Sequence, residues 1–159
     1  FQLDTGNSAQ PIILDYDDTL RCLTPGAPFK YPVHPDQVSI LPRREAVLQS
    51  WVDKGYRLLG VSNQSGIDKG DLTDAEARAC FDVTNRGVGH DIEYHYCPHY
   101  NFPVSCWCRK PQPGLGVMLA RKYDLNPGEC VYVGDQTSDK TFAKRSGFQY
   151  ADQAAFFKE

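Results

Sequence analysis

Two aspartates, one residue apart, follow a short apolar run near the beginning of the chain. The run ends at Leu14, Asp15 and Asp17 come next, and Thr19 lies two residues further on. Because the run is apolar, rich in β-branched residues and bounded by Pro11, it predicts a short buried strand. Carboxylates at such a position are costly unless a cation or a phosphate reaction uses them. The alternative interpretation of this pair is a turn or a helix cap.

Polar clusters follow three of the predicted strands, at the point where each strand ends. They are Asp15-Tyr-Asp17-Asp-Thr19, Ser62-Asn-Gln-Ser-Gly66 and Gly134-Asp-Gln-Thr-Ser-Asp139. In a parallel sheet the carboxyl ends of the strands lie at one edge, so we expect these clusters to converge. A fourth cluster, Arg109-Lys110, precedes a predicted helix and can reach the same edge. Three acids, a cation pair and neutral donors are what Mg²⁺-assisted phosphoryl transfer requires.

Three of the six cysteines crowd into one segment together with a histidine. The segment, Cys97-x-His99-x₆-Cys106-x-Cys108, offers three thiolates and one imidazole. This is a tetrahedral zinc set with no position left open, so it predicts a structural Zn²⁺ site and not a hydrolytic one. The alternative is a group of unligated core cysteines. The histidines that we do not assign as ligands are His34, His90 and His95.

The other cysteines are scattered along the chain, at Cys22, Cys80 and Cys130. They do not form the regular spacing of a disulfide framework, and two of them lie in apolar surroundings. We therefore expect reduced thiols and a cytoplasmic location.

Strand patterns and helix patterns alternate between the polar clusters. After the first strand, further strands are predicted at residues 56–62, 92–96, 130–133 and 148–151, and residues 24–42 as a loop. Helices are predicted at residues 43–54, after a capping box at Thr73, from Pro113, and from a cap at Ser138 to Ser146. This order predicts an α/β fold with a three-layer, Rossmann-like parallel sheet of about five strands. We expect a single domain at residues 11–159, after a polar tail at residues 1–10.

The composition argues against a nucleic-acid-binding protein and against a membrane-spanning one. The 159 residues carry a net charge of -3, which argues against a nucleic-acid surface. No apolar run reaches membrane-spanning length, and no signal-peptide pattern is present. The chain begins with Phe1 and not with Met, which indicates a processed product or a domain cut from a larger chain. We expect either a monomer or a part of a larger chain.

The four polar clusters resemble the four motifs of the haloacid dehalogenase superfamily of phosphatases. The resemblance covers roughly residues 11 to 157. It is closest to the small branch that includes D,D-heptose 1,7-bisphosphate phosphatase and histidinol-phosphate phosphatase. The segments that carry it are Val61-Ser-Asn-Gln-Ser-Gly-Ile67, Cys97-Pro-His99 and Cys106-Trp-Cys108-Arg-Lys-Pro-Gln-Pro-Gly114. The sequence departs from the family at Asp18, where Gly is usual, and in the short zinc loop, with six residues between His99 and Cys106.

The resemblance implies a mechanism in two displacements. Asp15 would attack phosphorus and become a transient aspartyl phosphate. Asp17 would protonate the leaving oxygen and then deprotonate the attacking water, a role worth roughly 10²–10⁴-fold. Mg²⁺ would be bound by Asp15, by the backbone carbonyl of Asp17 and by Asp135.

The resemblance also implies the residues that contact the substrate. Besides the catalytic Lys110, these are Thr19, Ser62, Asn63 through its backbone amide, Gln64 and Arg109. Asp139 would orient Lys110 or a metal-bound water. The alternatives are that Asp139 only stabilises the first turn of its helix, that Arg109 is a solvated surface residue, and that Gln64 only braces its loop.

We therefore expect a Mg²⁺-dependent phosphomonoesterase with a zinc-bound loop, acting on a small phosphorylated metabolite. A sugar phosphate or bisphosphate, such as heptose 1,7-bisphosphate, is the leading candidate. Only about 20 residues separate the first strand from the first helix, too few for a separate cap domain, so the site should be open. An open site also admits polymer ends, and the alternatives are a polynucleotide 3′-phosphatase domain and a non-catalytic interaction domain on the same scaffold.

Overall fold

A parallel sheet forms the centre of residues 11–158, which are the residues that the computed structural model describes. Its strands are β1 (Ile12–Leu14), β4 (Leu58–Asn63), β5 (Glu93–Cys97), β6 (Val131–Gly134) and β7 (Gln149–Asp152). Their spatial order is β5-β4-β1-β6-β7, and every neighbouring pair is parallel. The predicted five-stranded parallel sheet is therefore confirmed, with strand bounds one or two residues from those expected. The predicted tail at residues 1–10 lies outside the described residues.

Helices connect the strands of this sheet. They are α1 (Arg44–Asp53), α2 (Gly66–Lys69), α3 (Asp74–Val88), α4 (Gly114–Lys122), α5 (Thr137–Ser146) and α6 (Gln153–Phe156), with 3₁₀ turns at Pro35–Gln37 and Pro127–Glu129. The capping box predicted at Thr73 is confirmed, because Thr73 and Glu76 exchange side-chain to backbone hydrogen bonds. The cap predicted at Ser138 is wrong. The cap residue of α5 is Gln136, two residues before Ser138, and the side chain of Asp139 accepts from its backbone N–H.

The central strand β1 is buried on both faces. Ile12 and Leu14 pack into one hydrophobic core, Ile13 packs into a second core on the opposite face, and all three are fully buried. Burying each such side chain contributes about 1.5–3 kcal/mol, so a three-residue strand is stable here only between two layers of helices. This burial fixes the point where the chain emerges from the sheet, at Asp15.

The strand register brings the polar clusters to one edge of the sheet. Ile12 lies opposite Leu58 of β4 and opposite Val131 of β6, and all three strands run in the same direction. Their carboxyl ends, and the segments that follow them, are therefore neighbours.

Residues 24–42, predicted as a loop, contain part of a hairpin. Strand β2 (Arg21–Leu23) pairs antiparallel with β3 (Val38–Ile40). The prediction missed it because each strand is only three residues long and the segment between them is rich in proline and glycine. The connection between the two strands places Phe29, Lys30 and Tyr31 beside the edge where the polar clusters meet.

The turn after β1 explains one departure from the family pattern. Asp18 has a φ of 60°, in the left-handed region, and its N–H donates to the carbonyl oxygen of Arg21 at 2.7 Å. Glycine adopts this conformation without steric penalty, and aspartate is among the few other residues that adopt it readily. The chain thus keeps the backbone conformation that a glycine would serve and adds a carboxylate to the turn.

Candidate active site

A cavity of about 270 Å³ opens at the edge where the carboxyl ends of the strands meet. Most of the predicted site residues line it: Asp15, Asp17, Ser62, Asn63, Gln64, Arg109, Lys110 and Asp139. These side chains come from four separate segments of the sequence, so the convergence expected from the parallel sheet is present in the structure. Two predicted residues, Thr19 and Asp135, are not among the residues that line the cavity; Thr19 is fully buried and Asp135 is half-buried.

Lys110 is the centre of the site. Its Nζ donates to Asp15 Oδ1 at 2.8 Å, to Asp139 Oδ1 at 2.8 Å and to the hydroxyl of Tyr132 at 2.7 Å. Its side chain is only 4% exposed. A buried ammonium needs such partners, because an unpaired one would carry the full penalty of desolvation.

Burial and charge set the protonation of this cluster. Burial raises the pKa of Asp15 well above its usual value, and the nearby ammonium of Lys110 offsets only part of that effect. Burial also opposes ionisation of Asp139, but Lys110 and two backbone N–H donors outweigh it and lower its pKa. For Lys110, burial lowers the pKa, and the two carboxylates more than reverse this and raise it. The amine therefore stays charged between the two acids.

Asp139 is fixed by the strand end that it packs against. Its Oδ2 accepts from the backbone N–H groups of Asp135 and Gln136, both at 3.1 Å. A Cβ at position 134 would lie 2.5 Å from Asp139 Cγ, so only Gly134 permits this approach. Both oxygens of Asp139 are thus used by protein donors. Asp139 therefore accepts from Lys110 and also lies in the first turn of α5. A role in orienting Lys110 and a role in stabilising the first turn of the helix are thus compatible.

A group of carboxylate oxygens beside Lys110 can bind a cation. Asp15, Asp135 and Asp139 each offer one oxygen, and these atoms lie within 4.8 Å of one another. Burial raises the pKa of Asp135 as well. Acids crowded in this way are the oxygen-rich ligand set that Mg²⁺ prefers.

Thr19 has a different position from the one implied by the resemblance. It is fully buried, and its hydroxyl lies 3.3 Å from Asp15 Oδ2 and 3.5 Å from Asp135 Oδ1. Thr19 therefore contacts the two acids and is not among the residues that line the cavity. Its hydroxyl can hold the two carboxylates in fixed positions relative to each other.

Asp17 faces the cavity and is fixed by two donors. Arg21 Nε donates to Asp17 Oδ1 at 2.9 Å, and Gln64 Nε2 donates to Asp17 Oδ2 at 3.1 Å. The carboxylate of Asp17 lies outside the cluster of acids around Lys110, so the structure separates it from the group that can bind a cation.

The end of β4 and Gln64, the residue that follows it, brace the site. The side chain of Asn63 exchanges two hydrogen bonds with the backbone of Lys110, at 2.9 and 3.1 Å. Gln64 Nε2 also donates to Ser62 Oγ at 2.9 Å. Gln64 thus braces its own loop, as the alternative interpretation held, while it also contacts Asp17.

Cations surround the mouth of the cavity. Arg109 lines it and donates to the backbone oxygen of His99 at 3.5 Å. Lys30 and Lys69 line the same cavity, as does Tyr31, whose hydroxyl accepts from Gln136 at 3.3 Å. Of these residues only Arg109 could be predicted from the sequence, because Lys30 and Lys69 lie in segments with no chemical motif.

The predicted zinc ligands come together in the structure. Cys97, His99, Cys106 and Cys108 each place one donor atom within 4.8 Å of the others. His99 Nδ1 lies 3.4 Å from the sulfur of Cys97 and 3.5 Å from that of Cys108. A tetrahedral Zn²⁺ with S and N ligands has donor separations of about 3.5–3.8 Å. The two separations from His99 are close to this range, whereas the sulfurs of Cys106 and Cys108 lie 3.1 Å apart and would have to move apart slightly around the metal. Donors from the backbone and side chain of Cys108 lower the pKa of Cys106, whereas burial raises the pKa of Cys97 and that of Cys108.

Two contacts of the site were missed because nothing in the sequence marks them. Tyr132 lies within β6 and is fully buried, and burial raises its pKa well above the usual value, so it serves as a neutral hydroxyl beside Lys110. Arg21 lies in β2 and is 1% exposed. A tyrosine in an apolar strand and an arginine after a turn are both common, so only the three-dimensional structure identifies them.

Within residues 11–158, no helix combines the length and the apolar character needed to cross a membrane.

Comparisons with known proteins agree with the site. Residues 107–151 match the family model described as HAD-hydrolase-like. The chain is 31% identical over 139 residues to a protein of Thermoplasma volcanium named "Probable D-glycero-D-manno-heptose-1,7-bisphosphate 7-phosphatase", with 84% of this chain and 91% of that protein covered. It is 30% identical over 143 residues to the D-glycero-beta-D-manno-heptose-1,7-bisphosphate 7-phosphatase of Pasteurella multocida, with 84% of this chain and 74% of that protein covered.

A solved structure is similar over most of the chain. The D,D-heptose 1,7-bisphosphate phosphatase of B. bronchiseptica, crystallised with magnesium and phosphate, superposes with a TM-score of 0.79 at 26% identity. The similarity covers 90% of this chain and 79% of that one.

Proposed function

The chain belongs to the haloacid dehalogenase-like (HAD-like) hydrolases and is a phosphatase, and we propose that its substrate is a small sugar bisphosphate. Heptose 1,7-bisphosphate is the first candidate, because the relatives that match most of the chain are named for it. The observation that carries the proposal is the placement of Lys110 between Asp15 and Asp139, at a cavity that also exposes Asp17.

Mg²⁺ fits the acids at this site. The oxygens of Asp15 and Asp135 lie close enough to share one cation, and the similar B. bronchiseptica enzyme was crystallised with magnesium. Asp139 would stay outside the metal shell, because Lys110 and two backbone N–H groups use its oxygens. When bound, Mg²⁺ offsets the repulsion between an anionic nucleophile and an anionic phosphate.

The proposed reaction has two displacements. In the first, a carboxylate oxygen of Asp15 forms a bond to phosphorus, the ester P–O bond breaks, and protonated Asp17 gives its proton to the leaving oxygen. In the second, Asp17 takes a proton from water as the water oxygen attacks the aspartyl phosphate. The P–O bond to Asp15 then breaks, inorganic phosphate leaves, and both aspartates return to their starting states.

Lys110 and the last two residues of β4 would hold the phosphoryl group. The ammonium lies 2.8 Å from the nucleophile, so it can stabilise negative charge as it moves from Asp15 to the phosphoryl oxygens. Asn63 fixes the backbone of Lys110, and Ser62 offers a hydroxyl to the same cavity.

A second anionic group on the substrate would meet the cations at the mouth of the cavity. Lys30, Lys69 and Arg109 come from three different segments and line one space with the proposed nucleophile. Charge-assisted hydrogen bonds are worth about 1.5–3 kcal/mol each, so this arrangement favours a bisphosphate over a monophosphate.

A substrate panel tests the proposed function. With Mg²⁺, we expect phosphate release from heptose 1,7-bisphosphate with kcat/KM at least about tenfold above that of the corresponding monophosphate. The panel includes histidinol phosphate and a 3′-phosphorylated oligonucleotide, and Asp15→Asn protein is the blank for contaminating phosphatases. If the oligonucleotide is hydrolysed preferentially, the substrate is a nucleic-acid end and not a sugar bisphosphate. If no ester is hydrolysed, the proposed function is contradicted.

We further propose that Zn²⁺ binds the four-ligand cluster and fixes the segment that leads to Lys110. Cys97 lies opposite Asn63 in the sheet, and Cys108 is two residues from Lys110. The cluster thus lies between the two segments that Asn63 and Lys110 join by hydrogen bonds. A metal with four protein ligands here would act on structure and not on the substrate.

Removal of zinc is expected to destabilise the protein, since the binding energy of a structural zinc site is folding energy. In excess Mg²⁺, a zinc-selective chelator should lower the melting temperature by more than about 5 °C. Cys108→Ser should reproduce this loss and reduce the zinc content measured by atomic absorption. Cys22→Ser, a cysteine outside the cluster, is the matched control and should retain zinc. A purified protein that binds no zinc, or that loses it without a change in melting, would contradict the proposal.

A further inference from the structure

Arg21 is a buried charge that the proposed reaction does not use. Its side chain is 1% exposed, and its guanidinium lies over the ring of Phe81, with Cζ 4.7 Å from the ring centroid. It also donates from Nη1 to the hydroxyl of Thr84 at 3.2 Å. Burying a guanidinium is costly, so its contacts must supply a compensating interaction.

The acid that pairs with Arg21 is Asp17. Arg21 Nε lies 2.9 Å from Asp17 Oδ1, and within residues 11–158 the structure records no other carboxylate within 4.0 Å of this guanidinium. The turn at Asp18 lies between the two residues in sequence, and it brings Arg21, the first residue of β2, back beside Asp17. Asp17 is 13% exposed while Arg21 is buried, so the acid faces the cavity and the cation anchors it from inside.

The second oxygen of Asp17 is held from another direction. Gln64, which follows β4, donates to Asp17 Oδ2 at 3.1 Å. Two donors on separate elements therefore define one orientation of the carboxylate. Thr84 and Phe81, both on α3, define in turn the position of Arg21. The chain of contacts therefore runs from the buried face of α3 through Arg21 to Asp17 at the cavity.

We propose that Arg21 is a positioning residue that holds Asp17 in the orientation required for proton transfer to the leaving oxygen and from water. The inference rests on the proposed phosphatase mechanism, in which Asp17 is the acid and base. A displacement of about 1 Å in a group that transfers a proton can lower the rate by about 10²-fold. Arg21 itself is too buried to contact the substrate.

Esters with different leaving groups test this role. p-Nitrophenolate leaves without needing a proton, whereas the alkoxide of a sugar phosphate needs one. For Arg21→Met we expect kcat/KM to fall about 10²-fold with heptose 1,7-bisphosphate and less than about threefold with p-nitrophenyl phosphate, because kcat/KM reports only formation of the aspartyl phosphate. With p-nitrophenyl phosphate, the variant should also show a burst of one p-nitrophenolate per site, because hydrolysis of the aspartyl phosphate still needs Asp17 as a base.

Two further variants keep the test decisive. Arg21→Lys preserves the charge and should recover part of the lost rate with the sugar phosphate. If Arg21→Met does not fold, Thr84→Val removes one contact of Arg21 and should give a smaller loss with the same dependence on the leaving group. Equal losses with both esters and no burst would show a structural role and overturn the inference, as would full activity with both. Wild-type protein that hydrolyses neither ester would instead overturn the proposed function.

Discussion

Asp15→Asn is expected to abolish turnover while the protein stays folded. The amide oxygen of asparagine cannot replace a carboxylate as nucleophile, so phosphate release should fall by at least about 10⁴-fold. The side chain keeps its shape and can still accept a hydrogen bond from Lys110, which also retains Asp139 as a counter-ion. Phosphate release with the best ester of the panel measures the activity, and thermal melting measures the fold.

Asp36→Asn is the matched control for this change. Asp36 lies in a 3₁₀ turn, and its side chain is 91% exposed, so the same loss of one charge should leave activity unchanged. Activity of more than about one part in a hundred in Asp15→Asn would exclude Asp15 as the nucleophile.

Lys110→Met is expected to remove both activity and much of the stability. The substitution leaves Asp15 and Asp139 buried side by side without their cation, and Tyr132 without a donor. Removing one partner from a buried ion pair typically costs about 3–5 kcal/mol in the free energy of unfolding. Urea denaturation in Mg²⁺-free buffer measures this loss, and Mg²⁺ should restore part of it by neutralising the acids.

Lys122→Met is the control for the buried lysine. Lys122 is exposed and contacts Glu93 at the surface, at 3.3 Å, so its removal should hardly change the denaturation midpoint. Equal midpoints for the two variants would show that the cluster around Lys110 contributes nothing special to folding.

The positions of the sheet strands and their parallel direction could be predicted because their signals are local. An apolar run followed by polar residues marks β1, and the same pattern recurs at β4 and β6. Once the strands are parallel, their ends must meet, and the acids at residues 15 and 135 follow from topology alone. The zinc ligands could be grouped for a related reason, since they lie within one segment of 12 residues.

The features that were missed depend on tertiary contacts. The hairpin of β2 and β3 is stable because α3 packs against it, which short strands do not reveal in sequence. The cap of α5 was misplaced because Asp139 accepts from the backbone while it also binds Lys110, whereas Ser138 matched the usual preference. Arg21 and Tyr132 can be assigned to the site only from their contacts in the structure, with Asp17 and with Lys110 respectively.

The charged centre has a consequence for how the molecule can be divided. Its three members are Asp15, Lys110 and Asp139, so any contiguous piece that contains them spans most of the chain. The family-matching segment, residues 107–151, holds Lys110 and Asp139 and lacks Asp15, the proposed nucleophile. A fragment of residues 107–151 would contain Lys110 and Asp139 without Asp15, so Lys110 would lose one of its two carboxylate partners. The proposed site therefore requires the complete sheet.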